Sequence, residues 1–194
     1  ALLAEEGLYR AGGLACVSAI LEPTTTAAVG MIAGSFYERQ HGQAKLILDR
    51  YALNAGDALV IYSNSGANAL PVEMALEAKA RGAVTIAVSS RAYARQAPVT
   101  SATGQTLIEV CDYVIDNGVP PGDAVVSFAN ESYRAASVST IAGAYIWNTL
   151  IAQAVSILES KGIRAPLYIS SNMPGAKENN QRLIEKYRNR IKHL

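Results

Sequence analysis

Residues 57–90 read DALVIYSNSGANALPVEMALEAKARGAVTIAVSS. Two short apolar runs, Ala58 to Tyr62 and Val84 to Val88, flank a segment of helical length. Short apolar runs bounded by turn residues are the signature of strands buried on both faces of a parallel sheet. Pro71 suits the first turn of a helix, where its missing N–H is not needed, and Arg81-Gly82 closes one. A helix is therefore expected over Val72 to Ala80. Strand, helix and strand in that order require a crossover, and with it a parallel sheet covered by helices.

The alternation continues on both sides. Upstream, Leu2, Leu3, Leu8 and Tyr9 fall at helical spacings that Gly12-Gly13 end, and Leu14 to Leu21 reads as a strand. Met31 to Tyr37 and Gln43 to Leu48 read as helices. Downstream come a helical turn near Leu107, a strand over Tyr113 to Ile115, and a turn cluster from Asn117 to Asp123 with two prolines and two glycines. Ala124 to Phe128 follows as a short edge strand. Ser139 to Leu158 is the longest helical pattern, apolar nearly all round, so it is expected to be buried, with Gly162 as its stop. Leu167 to Ser170 is ambiguous. The tail from Gln181 is amphipathic, with Leu183, Ile184, Tyr187 and Ile191 on one face and a solvated, basic face opposite. The fold class expected is α/β, with a parallel, doubly wound sheet in a three-layer αβα sandwich.

At 194 residues, one domain spanning 1–194 is the simplest organisation. Half the residues are hydrophobic, 17% are charged, and the formal charge is +1 with no long basic run, so nucleic acid is not an expected partner. The apolar stretches look shorter than the roughly 20 residues that span a bilayer, so no membrane is expected. Cys16 and Cys111 fall in an expected strand and strand entry, where buried thiols are commoner than a disulfide or metal pair, and a cytoplasmic setting follows. The chain opens at Ala1 in helical pattern without a Met, so residues are expected upstream. No H-E-x-x-H, C-x-x-C or carboxylate cluster occurs, and neither phosphate-binding nucleotide fingerprint does, so no cofactor and no metal are expected.

Ligands of open α/β sheets bind at the carboxyl ends of the strands. Ser63-Asn64-Ser65-Gly66-Ala67-Asn68 follows one strand directly and precedes a helix starting near Leu70. A helix start offers free amides and a positive dipole end, hydroxyls and an amide side chain add donors, and Gly66 permits close approach, all of which suit a phosphate. The same residues could simply cap the helix. Ser89-Ser90 ends the neighbouring strand and either faces the ligand or makes a plain turn. Glu73, one turn into the helix, could reach a sugar or merely suit the helix dipole, and Glu22, at a strand's carboxyl end before Pro23, is another possible base. Arg10 and Arg39 could meet a phosphate or form surface ion pairs.

From Asp57 to Ser90 the sequence resembles the strand, serine loop, helix and next strand of the sugar isomerase (SIS) domain family. It is most similar to a branch of uncharacterised phosphosugar-binding, phosphoheptose isomerase-like proteins. Similar text recurs at Leu3 to Leu14, at YVIDNGVPPGDA (Tyr113 to Ala124), at VSTIAGAY (Val138 to Tyr145) and in the tail. The resemblance implies a flavodoxin-like SIS fold, a phosphate grip by Ser63, Asn64, Ser65 and Asn68, and a place near the sugar for Val138, Ser139 and Thr140. Ser139 or Thr140 serves equally well as a helix cap. Family members carry an earlier Gly/Ser loop after their first strand; none is present here, and it is expected upstream of residue 1.

Aldose–ketose isomerisation needs ring opening and then proton movement between adjacent carbons, work for a carboxylate or histidine poised near neutrality. Glu38-Arg39-Gln40-His41-Gly42 is the candidate segment, with Glu38 or His41 as base or ring opener. It resembles the E-x-x-H-G text in the second sugar isomerase domain of glucosamine-fructose-6-phosphate aminotransferase, a family member, which implies His41 as the residue that opens the ring. An exposed helix end with scattered charges is the alternative. The function implied is a sugar-phosphate isomerase, with a sugar-phosphate lyase or etherase, or a non-catalytic sugar-phosphate sensor, as alternatives. A homodimer or higher homo-oligomer is expected, since the Ser139 helix and the Thr24 to Leu48 segment offer more apolar surface than one small sheet covers.

Overall fold

Strands and helices alternate from Ala58 to Asp116 in the order that residues 57–90 set. The computed structural model describes residues 2–129 and 133–194. In chain order the elements are α1 (Leu2–Gly7), α2 (Met31–Tyr37), α3 (Gln43–Leu48), β1 (Ala58–Tyr62), α4 (Ala69–Ala80), β2 (Val84–Ser89), α5 (Arg91–Ala94) and α6 (Leu107–Val110). They continue with β3 (Tyr113–Asp116), β4 (Ala124–Ser127), β5 (Arg134–Ser137), α7 (Ser139–Ser160) and α8 (Ala176–Tyr187). The chain divides into two compact units, Glu22–Gly143, and Ala1–Leu21 with Ala144–Leu194.

The unit Glu22–Gly143 is α/β. β1, β2 and β3 form a parallel sheet in that order, with Ile61, Ala87 and Val114 in register across it. Val72 and Ala75 of α4 and Leu107 and Val110 of α6 pack on this row. The alanines Ala75 and Ala87, fully buried, let helix and sheet approach closely. One polar cluster ties the strand entries together: Asp112 accepts the Thr85 amide and hydroxyl, both at 2.8 Å, and pairs with Lys79 Nζ at 2.9 Å. Lys79 foremost, then the Thr85 bonds, hold the Asp112 carboxyl down at about 2. The sheet flanked by helices is the α/β, SIS-type arrangement expected.

Several expectations need correction. Leu14 to Leu21 is not a strand: Leu14 makes a single antiparallel bridge with Leu167, and residues 17–22 run without a ladder. Apolarity signalled burial there (Ala15 and Ala19 are buried) but not extended pairing. Cys16, expected to be buried with that strand, is exposed instead. Ala124 to Phe128 does not edge the parallel sheet; β4 pairs antiparallel with β5 in a separate two-stranded sheet, Val126 opposite Ala135. The stretch Asn130 to Ser132 lies outside the described residues.

The largest correction concerns α7, expected to be buried. Ile141 is 70% and Tyr145 74% exposed, and little of the helix is covered within the chain. At 22 residues it is also long and apolar enough, by length and composition alone, to cross a membrane, contrary to the expectation that no stretch would be. Asn148 and Thr149 fit in it by returning their side-chain protons to the Ala144 and Tyr145 carbonyls at 3.0 and 2.8 Å.

In the unit Ala1–Leu21 with Ala144–Leu194, Gly7 comes so close to the Trp147 ring that a Cβ would sit 2.9 Å from it. Ala15, Tyr168 and Leu183 form a small buried core, with Ile184 and Tyr187 against it. That seats the apolar face of α8 as its spacing predicts.

Candidate functional site

The serine turn lies at the carboxyl end of β1 and is fixed from beneath by β2 and β3. The Asn64 carbonyl accepts the Ser90 amide at 2.9 Å and the Ser89 hydroxyl at 3.2 Å. Ser90 sends its hydroxyl to the Val119 carbonyl and accepts the Tyr93 amide, so it caps α5. Both serines are fully buried. Their hydroxyls hold the turn from behind. Asn117, which sequence reasoning passed over as part of a turn cluster, joins them: its Nδ2 donates to Asn64 Oδ1 at 2.9 Å. Its own amide donates to the Ser89 carbonyl, and its Oδ1 accepts the Val119 amide. The Asn117-Gly118 pair was the available signal.

Gly66 explains why the turn can sit so low. It is left-handed (φ 60°), and a Cβ there would lie 3.0 Å from Ser89 Oγ and 3.1 Å from Leu107 Cβ. Its freedom serves packing onto β2 and α6 as much as approach to a ligand. Within the turn, Ser63 Oγ accepts the Gly66 amide at 3.3 Å and Ser65 Oγ the Ala67 amide at 3.5 Å. Both bonds are long, and each hydroxyl keeps its proton to donate.

Asn68 is the N-cap of α4, yet its side chain makes no cap bond. It donates instead to Glu38 Oε1 at 2.6 Å, while the Glu38 carbonyl takes the Leu70 amide at 2.9 Å. With Pro71 lacking an N–H, the first turn of α4 offers fewer amides than its sequence promised. Burial pushes the Glu38 carboxyl up, against the pull of neighbouring Arg39. His41 is drawn to the same helix: its Nδ1 meets Glu73 Oε1 at 3.0 Å, and the Gly42 amide donates to Glu73 Oε2 at 2.8 Å. With a carboxylate on Nδ1, the neutral ring carries its proton there and leaves Nε2 as the acceptor. Glu73, weighed from sequence mainly as a dipole partner, is thus the anchor of His41. A groove of about 320 Å³ opens on this flank between Lys45 and Gly42 on one side and Glu73, Leu76 and Glu77 on the other.

Two buried polar atoms in this region have no partner among the described residues: Asn64 Nδ2 and Tyr62 Oη at the end of β1. Burial raises the Tyr62 phenol to about 12, so it stays a proton donor.

The structure therefore brings Ser63, Asn64, Ser65, Ser89 and Ser90 to the carboxyl ends of β1 and β2, with Glu38 bonded to Asn68 at the start of α4 and His41 to Glu73 one turn further along it. Val138 and Ser139 are bonded to Asp123. The Val138 and Ser139 amides donate to Asp123 Oδ1 at 3.0 and 2.8 Å, and Ser139 Oγ donates to Asp123 Oδ2 at 2.6 Å. Thr140 is exposed. Asp123 is a further residue that sequence reasoning missed; left-handed at φ 70°, a conformation Asp tolerates better than most residues, it caps α7 from across the hairpin. Glu22 caps a short helical turn through Thr24 and pairs with Arg50. Arg10 pairs with Glu6, and Arg39 with Glu38 and Ser35. Among the described residues no group of three or more His, Cys, Asp or Glu side chains could hold a metal ion.

A parallel α/β sheet that passes an S-N-S-G turn into a helix start fits a SIS domain, the fold of a phosphosugar-binding family. A family profile described as SIS domain matches residues 1–90. The UPF0309 protein of Caldanaerobacter subterraneus subsp. tengcongensis is 41% identical over 195 residues, covering all of this chain and 79% of that protein. UPF0309 proteins of Brucella canis and Brucella melitensis biotype 2 are each 43% identical over 194 residues, covering all of this chain and 78% of theirs. The chain belongs to the UPF0309 proteins of the SIS family.

Proposed function

We propose that this protein binds a phosphorylated sugar at the Ser63–Asn68 turn and interconverts its aldose and ketose forms. The observation that carries the proposal is the 2.6 Å bond from Asn68 to Glu38, which puts a carboxylate at the same helix start as the serine hydroxyls. In this reading Ser63, Ser65 and the Asn64 amide donate to the phosphate, and the positive end of α4 faces it. Glu38, its carboxyl raised by burial, moves the proton between the two carbons, since a carboxyl nearer neutrality is better matched to that task. His41 opens the ring from Nε2 while Glu73 fixes its orientation.

The protein acts as a homodimer in this proposal, supported by the bare apolar side chains of α2 (Met31, Ile32 and Phe36) and of α7. The compartment is the cytoplasm, where a charged sugar phosphate stays because it crosses an apolar bilayer only at great cost.

Thermal shift against a panel of five-, six- and seven-carbon sugar phosphates tests the binding, and turnover of each hit tests the chemistry. Glu38→Gln is expected to abolish turnover while binding survives. Binding without turnover of any hit would make the protein a sensor; elimination products in place of the isomer would make it a lyase.

A further inference from the structure

We propose that the unit Ala1–Leu21 with Ala144–Leu194 holds a second ligand site, one for an uncharged polyhydroxy compound such as a sugar ring without phosphate. A pocket of about 290 Å³ lies within this unit, and no charged side chain lines it. Its aromatic wall is Tyr9 and Tyr168, whose rings meet edge to face with centroids 4.7 Å apart. Its polar rim is Ser170, Ser171 and Asn172, whose side chains make no hydrogen bond among the described residues.

The floor is built rather than incidental. Asn180, buried on α8, accepts the Ile169 amide at 2.9 Å and donates to the Ile169 carbonyl at 2.7 Å. Asn179 donates to the Leu167 carbonyl at 3.0 Å. These bonds fix the backbone that leads into Ser170, so the rim is presented from a rigid base. Tyr168 is only 4% exposed, and its hydroxyl is buried with no partner among the described residues. Tyr9 holds a left-handed backbone (φ 51°), uncommon for a bulky residue, which keeps its ring against Tyr168.

The chemistry of the lining selects the ligand. A phosphate or carboxylate would enter a site without a cation and lose its hydration without return. The exposed ring of Tyr9, backed by the buried Tyr168, offers flat apolar area, and hydroxyl and amide groups at the rim both donate and accept, as a sugar's hydroxyls require. This site shares no residue with the serine turn, so the two stand or fall separately.

The test is a titration of the ¹⁵N-labelled chain with D-glucose, N-acetyl-D-glucosamine and, separately, inorganic phosphate, followed by amide shifts. The neutral sugars, or one of them, should move the amides of Tyr9 and residues 169–172 saturably, and phosphate should leave them in place. Ser170→Ala with Asn172→Ala, both exposed and unbonded and so harmless to folding, should weaken that binding about tenfold or more. Ser65→Ala should leave it unchanged. No saturable shift with either sugar, undiminished affinity in the double variant, or shifts there with phosphate would each overturn the proposal.

Discussion

Helices α4 and α7 start within the unit Glu22–Gly143 and treat their first amides in different ways. At α7 an aspartate of the protein's own, Asp123, already fills the anion position, accepting the Val138 and Ser139 amides and the Ser139 hydroxyl. At α4 the N-cap Asn68 leaves its helix uncapped by side chain and turns to Glu38. A helix start is an anion site only when nothing internal occupies it. By that comparison α7 is closed by Asp123, while α4 has no side-chain cap and gives only its Leu70 amide to the Glu38 carbonyl; under the proposed function it is the α4 start that takes the phosphate.

The largest expected effect is on binding at the open start. Ser63→Ala with Ser65→Ala should remove measurable sugar-phosphate affinity in the thermal-shift panel, and retention of parental affinity would erase the contrast between the two helices. Next, Gly66→Ala should cost about 1–3 kcal/mol in chemical denaturation, because a Cβ meets Ser89 and Leu107 in a left-handed turn. Asp123→Gly keeps the left-handed backbone but removes the cap of α7; about 1 kcal/mol should be lost while sugar-phosphate affinity holds. A fall in affinity there would draw the α7 start into the site.

The smallest effect is read against pH. The folded Asp112 carboxyl titrates at about 2, below the ordinary aspartate value of about 3.9. Its contribution is therefore complete above about pH 4 and fades as pH falls through about 2. Asp112→Asn should flatten the acid limb of a stability-versus-pH curve over that window; an unchanged limb would mean the Lys79–Thr85 cluster adds nothing.

Much of the fold was legible because local signals agreed. The apolar run before Ser63, Pro71 in a first turn and Gly82 after the last all point to one strand–turn–helix, and α4 and β2 follow it. Residues 14–21 were misread because an apolar run records burial and not which backbone groups pair. Ser139 to Leu158 was misread as buried because apolarity all round a helix does not show that this chain covers it. In the candidate site, the serine turn could be found from its placement between strand and helix. The His41–Glu73 pair spans 32 residues and the Ser139–Asp123 cap 16, and no local spacing rule reaches that far. Asn117 and Asp123 read as turn residues, which they are; only the tertiary pairing reveals what their side chains hold.

The direct measurement is a crystal of this protein soaked with glucose 6-phosphate or a close sugar phosphate. Density for the phosphate within hydrogen-bonding distance of Ser63 Oγ, Ser65 Oγ and the Asn64 amide, at the start of α4, is the expected result. A fully occupied sugar phosphate bound at another place, with that turn holding only solvent, would contradict the account.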